Sequence, residues 1–155
     1  MTTNSKNILI VGGLLFAAAA VLTYRKVSVT AYSFDNLDIT PVWIDNIKPG
    51  LTQSSFSLDV MLKNLSEEPF EVSGLGIATL KRIEVILNNQ VVGVANVQME
   101  EISIPAFGNQ VIYNIPVTVS TAAIVNNSSN IKKLLASINL IGYVEALGSE
   151  YQIGA

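Results

Sequence analysis

The sequence predicts an all-β domain, an antiparallel β-sandwich with one short helix, carried behind a single N-terminal transmembrane helix. Three observations lead there. Residues 8–24 are apolar and uncharged, short alternating runs separated by turn residues fill the chain from residue 35 onward, and just one later segment has helical spacing.

The apolar run reads I-L-I-V-G-G-L-L-F-A-A-A-A-V-L-T-Y. As a helix it reaches roughly 25 Å, at the short end of what crosses a bilayer core of about 30 Å. Its lipid contacts would be Ile8, Leu9, Ile10, Val11, Leu14, Leu15, Phe16, Val21, Leu22 and Tyr24. Lys6 on one side, and Tyr24, Arg25 and Lys26 on the other, extend it by snorkelling and interfacial anchoring. A buried core helix would show a polar stripe, and this segment has none. A cleaved signal peptide would use Ala18-x-Ala20, but apolar residues continue past it and Arg25-Lys26 resembles a stop flank, which favours an uncleaved anchor. Gly12-Gly13 and the alanines are of the kind that let two helices approach closely, or are simply the small residues common in short anchors. Lys6 and the amino terminus nearly balance Arg25 and Lys26, so the positive-inside rule sets no orientation. The chain thus divides into a tail and anchor, residues 1–26, and a β domain, residues 27–155.

Within that domain Phe56, Leu58, Val60 and Leu62 alternate with Ser57, Asp59, Met61 and Lys63, the mark of a half-buried strand. Ile83, Val85 and Leu87 alternate likewise. Asn88-Asn89-Gln90 offers a turn because asparagine tolerates left-handed backbone angles, and residues 91–97 return as the second strand of a hairpin. Tyr113, Ile115, Val117 and Val119 form another alternating set; Pro116, which cannot donate to a ladder, marks an edge strand or a bulge there. Leu140, Gly142, Val144 and Ala146 alternate again, and Gly148-Ser149 turns into a short last strand at 151–153. Residues 35–48 read as extended and carry the one tryptophan, Trp43. The exception is Ile131, Leu134, Leu135 and Ile138, at i, i+3, i+4 and i+7, with Ser128 or Ser129 to cap a helix and Lys132-Lys133 on its exposed side.

Composition removes whole classes of function. Without cysteine there is no disulfide scaffold, thiolate metal site, cysteine nucleophile or N-terminal lipid-modified cysteine. Without histidine the commonest general base and metal ligand is missing. Of nine basic residues three (Lys6, Arg25, Lys26) precede residue 27, leaving six against twelve acidic ones, a net charge of −6 for the domain. That sign repels phosphate backbones, so no nucleic-acid partner is expected.

The strand running into Lys63-Asn64-Leu65-Ser66, then Pro69-Phe70-Glu71-Val72, resembles the late embryogenesis abundant group 2 family, also called the water stress and hypersensitive response (WHy) domain. The order continues with Leu87-Asn88-Asn89-Gln90-Val91-Val92-Gly93, Ile104-Pro105-Ala106, the valine run at 115–120, the helix at 131–136 and Leu140-Ile141-Gly142-Tyr143-Val144. The likeness spans roughly residues 35–147 and rests on order, since no single motif is specific. The family often has Asn-Pro-Asn at the first turn; Asn64-Leu65-Ser66 departs from it, the pattern of a distant member. The resemblance implies a fibronectin- or immunoglobulin-like sandwich, no catalysis, and frequent attachment at a membrane.

Site candidates are few. Carboxylate pairs at Asp35/Asp38, Glu67/Glu68 and Glu100/Glu101 have the chemistry for acid–base work or calcium, but no glycine-rich ligand loop accompanies them, and a solvated surface is the simpler reading. Ser129 and Lys132 fit S-x-x-K at a helix start, where a capping serine explains them more economically. Sequons begin at Asn64, Asn126 and Asn127. Trp43, Phe70 and Phe107 lie in or beside turns, either as exposed contact points or as plugs of the sandwich ends; Pro116 joins them as an edge feature. The expectation is therefore a non-enzymatic, membrane-anchored module without catalytic, cofactor or metal residues and without an evident small-molecule substrate. Its partners would be the bilayer, through the N-terminal helix, and a protein or another copy of itself. The rival, favoured by low charge, strands rich in valine, isoleucine and asparagine, and a short anchor, is a structural membrane protein of a membrane-containing phage particle, packed against capsid or neighbouring chains. Its location would be a virion membrane rather than a cell membrane. In that case residues 35–48 or the strand around Pro116 would pair with a neighbour.

Overall fold

In the computed structural model residues 34–72, 78–125 and 131–154 are described. The predicted anchor at 8–24 lies outside them. Among the described residues no helix is long and apolar enough to cross a membrane.

Nine strands dominate: β1 (Leu37–Lys48), β2 (Gln53–Asn64), β3 (Phe70–Val72), β4 (Ala78–Leu87), β5 (Gln90–Met99), β6 (Ile102–Ile104), β7 (Asn109–Ser120), β8 (Ile138–Ala146) and β9 (Ser149–Ile153). Two short helices, α1 (Thr121–Val125) and α2 (Ile131–Ser137), stand between β7 and β8. Seven strands form one sheet in the order β1-β2-β7-β5-β4-β8-β9, and β3 pairs with β6 alone. Every pairing is antiparallel.

The alternation in β2 does what its period requires: Phe56, Leu58, Val60 and Leu62 are buried, and the residues between them face out. The β4–β5 hairpin closes on Asn88 and Asn89 with φ of 51° and 61°, the left-handed pair that a two-residue turn demands. The β8–β9 turn uses Leu147 and Gly148 in the same way.

The large sheet is nearly two sheets. β5 and β7 are joined by just two residue pairs, Gly93↔Val119 and Val94↔Thr118. A side chain at Gly93 would run into Val119 and the carbonyl of Thr118, so this close approach needs glycine. Away from that seam β1-β2-β7 and β5-β4-β8-β9 diverge, and their inward residues share one hydrophobic core. Their far edges meet again through Ile39 of β1, whose Cδ1 lies 3.3 Å from where a Cβ on Gly142 of β8 would stand. Pro116 holds its register with Ser57 of β2 beyond the last β5–β7 pair, where the missing N–H interrupts no β5 ladder.

Among the described residues two polar side chains, Ser54 and Asn64, are buried, and they are stitched at opposite ends of β2. Asn64 donates its Nδ2 to the carbonyls of Glu68 (2.7 Å) and Pro105 (3.2 Å) and accepts from the Ser66 N–H (3.0 Å) and hydroxyl (2.7 Å). Ser54 shares a 2.9 Å bond with the Thr121 hydroxyl, which also donates to the Gly50 carbonyl at 2.9 Å and so fixes the start of α1.

The helical spacing at 131–138 becomes α2, but it ends at Ser137 and Ile138 opens β8, so the helix is shorter than its pattern. α1, β3 and β6 are additions to the predicted elements. Of the two readings for Phe70, contact point or plug, its burial fits the plug: it is edge-on to Phe34 at 5.3 Å, and Phe34 in turn stacks on Tyr151 at 4.8 Å. The strand alternation through β3 points Phe70 into the core, where it is not available to a partner. The sequon at Asn64 is likewise closed, since a buried and fully bonded amide cannot carry a glycan in the folded chain.

Candidate binding face

The outer surface of β1-β2-β7 is built around one row of residues. In β1 the register slips between Pro41 and Trp43, so Val42 is the extra residue of a bulge and Trp43 sits directly across from Asp59 of β2. On the other side of β2 the register jumps from Leu58↔Ile115 to Val60↔Ile112, leaving Tyr113 and Asn114 together opposite Asp59. Asn114 takes a φ of 57°, which asparagine tolerates better than most residues, and its N–H donates to Asp59 Oδ1 at 2.8 Å. Two bulges on two strands therefore converge on one carboxylate.

The consequence is exposure of large apolar groups. Trp43 is 50% exposed and Tyr113 66%, with Val42 beside them. The rows on either side are Thr40–Met61–Val111 and Asp45–Ser57–Pro116. Neighbouring strands lie about 4.8 Å apart, so Trp43 and Tyr113 flank Asp59 from roughly 10 Å apart. β1 is also the end strand of its sheet, and its outer edge carries no strand partner among the described residues.

The opposite outer surface, on β4-β8-β9, has a different chemistry. Arg82 grips Glu150 with both terminal nitrogens (2.7 and 3.2 Å), lies 3.7 Å from Glu84 through Nε, and sits 3.8 Å over the ring of Tyr143. Tyr143 donates its hydroxyl to Glu84 at 3.1 Å, and Lys81 pairs with Glu145 at 3.1 Å. The bond to Glu150 raises the Arg82 pKa further. Burial, followed by the bond to Glu84, raises that of Tyr143.

The four residues singled out in the sequence separate. Trp43 and Pro116 share the β1-β2-β7 face. Phe107 is 65% exposed with φ of 52°, at the β6–β7 turn where its N–H donates to the Ser66 carbonyl (3.1 Å), near the β2–β3 turn rather than the face. Phe70 is in the core. Among the described residues no group of three or more acidic side chains is placed to hold a metal ion. Ser129 lies outside the described residues. The hollow beneath α1 and α2 is lined by Phe56, Leu87, Val119, Ile124, Leu134 and Ile138 among others, with no polar side chain on its wall to orient a ligand.

Tyr113 and Asp59 are the residues that pattern reading misses. Period-two reading sets Tyr113 on the buried side with Ile115; the bulge at Asn114 turns it out. Asn114 and, two residues on, Pro116 are the local signs of that bulge, and β7 is an interior strand between β2 and β5 rather than an edge.

No family model and no curated protein matches this sequence. Among solved structures the chain is similar to the solution structure of a protein described as late embryogenesis abundant (LEA). The superposition has a TM-score of 0.28 at 12% identity and covers 97% of this chain and 87% of that one. A superposition that loose defines no fold, and the topology stands on its own strand register.

Proposed function

We propose that the protein is a non-enzymatic, membrane-tethered module whose β domain presents the β1-β2-β7 face to a protein partner close to the bilayer. On this reading residues 8–24 are the anchor, the domain is a fibronectin- or immunoglobulin-like sandwich, and it is a distant relative of the late embryogenesis abundant group 2 domains. The observation that carries the proposal is the half-exposed Trp43 beside Val42, across the sheet from exposed Tyr113. Large aromatics left on a surface are typical of contact sites, where they give much area at small entropic cost.

One observation favours a second reading. β1 runs twelve residues as an end strand with no strand partner on its outer side among the described residues, the geometry by which a strand of a neighbouring chain is added in an assembly such as a phage particle.

The test is gentle extraction of the native protein in a mild detergent and determination of the mass of what travels with it. Recovery in the membrane fraction with a substoichiometric partner, lost in Trp43→Ser, supports the tethered module. A fixed-stoichiometry complex with coat or membrane proteins transfers the case to the assembly component, and recovery without detergent from the soluble fraction overturns both.

A further inference from the structure

We infer that Trp43, Asp59 and Tyr113 form a cleft that takes a single cationic group, an arginine side chain on the partner polypeptide. The inference rests on the reading of this face as the binding surface and names what the partner must bring.

The geometry comes first. Asp59 is the middle member of a row across three strands, with an indole on one side and a phenol on the other. Its Oδ1 accepts the Asn114 N–H, which fixes the carboxylate, while Oδ2 has no hydrogen-bond partner among the described residues. A flat cation between two rings needs roughly 3.5–4 Å to each, or about 7–8 Å in all. Two strand spacings, about 10 Å, provide that with room for the rings to tilt inward. A guanidinium meets all three groups at once: its faces meet the rings, and its fork of N–H donors meets the free oxygen. An ammonium is compact and strongly hydrated and uses the rings less well.

Charge points the same way. The outward positions of β1 and β2 carry Asp38, Asp45 and Asp59 against Lys63, in register with Asp38 at one end of the strands, and Lys48, in register with Ser55 at the other. The cations Lys81 and Arg82 are committed to glutamates on the opposite surface. The two lysines stand at the ends of the strands, so the central row keeps Asp59 without a neighbouring cation, within a domain of net charge −6, obtained as six basic minus twelve acidic residues after residue 26. Such a surface steers a basic partner to itself.

The protein supplies its own reporter, because Trp43 is its sole tryptophan. The full chain in maltoside micelles is titrated with a short peptide of alternating valine and arginine while Trp43 emission is followed. The expected result is a saturable change that weakens with salt and is absent for the citrulline peptide, the neutral isostere. Affinity should fall at least about tenfold in Asp59→Asn, which keeps an acceptor for the Asn114 N–H and so keeps the bulge. Tyr113→Ala, which leaves that hydrogen bond alone, should weaken binding several-fold. No emission change with the arginine peptide, or equal affinity for Asp59→Asn, overturns the inference. Saturation by choline chloride in preference to the arginine peptide overturns it in favour of a lipid headgroup. If a native partner still depends on Trp43 while the arginine peptide does not bind, only the cation assignment fails; if neither binds, the reading of the face fails as well.

Discussion

The two outer surfaces of this domain are made from the same kind of strand and solve opposite problems. On β4-β8-β9, Arg82, Glu84, Tyr143 and Glu150 satisfy one another, and Lys81 pairs with Glu145. Little is left over for a partner. On β1-β2-β7 the aromatic groups stand out from the sheet and one oxygen of the central carboxylate is unused among the described residues. A surface that binds itself holds the fold together at its edge, here β9; a surface that does not is available. Both surfaces contain bulges: the shift between Leu80 and Arg82 on β4 lies beside ion-paired Lys81 and Arg82, whereas those at Val42 and Asn114 lie beside Trp43 and Tyr113.

The largest expected effects lie beneath the surfaces, at the buried Asn64 stitch and in the shared core. Asn64→Leu removes four hydrogen bonds and leaves two carbonyls and the Ser66 N–H without that partner, so stability should drop by about 3 kcal/mol in a urea titration. Leu58→Ala, in the shared core, should cost a similar ~2–5 kcal/mol. If Leu58→Ala leaves stability unchanged, the two surfaces do not rest on one core; if Asn64→Leu does, the stitch is not structural.

Next in size is the alkaline limb of stability. Tyr143 has its pKa raised in the folded state, first by burial and then by Glu84, so the neutral phenol is favoured there. That contribution is fully present below the unfolded value of about 10 and is lost as pH rises through the folded value. Thermal melts above pH about 10 should therefore fall more steeply for the native chain than for Tyr143→Phe. Parallel curves would remove Tyr143 from the account.

Arg82→Met should lower the melting temperature slightly, and less so at high salt, because its pairs are partly exposed and screened. The smallest expected effect is the most informative. Trp43→Ser and Tyr113→Ser should change stability by no more than about 0.5 kcal/mol, since neither side chain is in the core. A large loss from either would make the face structural.

Much of the architecture was legible where the period was unbroken. β2 and the β4–β5 hairpin follow directly from alternation and from two asparagines that accept left-handed angles. Legibility ends at the bulges. A slip of one residue exchanges the faces of a strand, so Tyr113 passes from the predicted buried set to the surface, and Trp43 could not be placed without the Pro41/Trp43 shift. Phe70 lies in a strand of three residues, too short for a period to show. α1 reads as strand by composition, T-A-A-I-V, and is helical because Thr121 is tied to Gly50, Thr52 and Ser54, a constraint held by residues almost seventy positions away. The candidate binding face sits where local pattern and final register disagree.

The most direct test of the two-surface account is site-specific photo-crosslinking of the full chain in the cells that produce it. One probe replaces exposed Val42, beside Trp43, and a second replaces Lys81 on the opposite surface. The account predicts a discrete crosslinked product from position 42 and none from position 81. Products from position 81 alone, or equally from both, would contradict it.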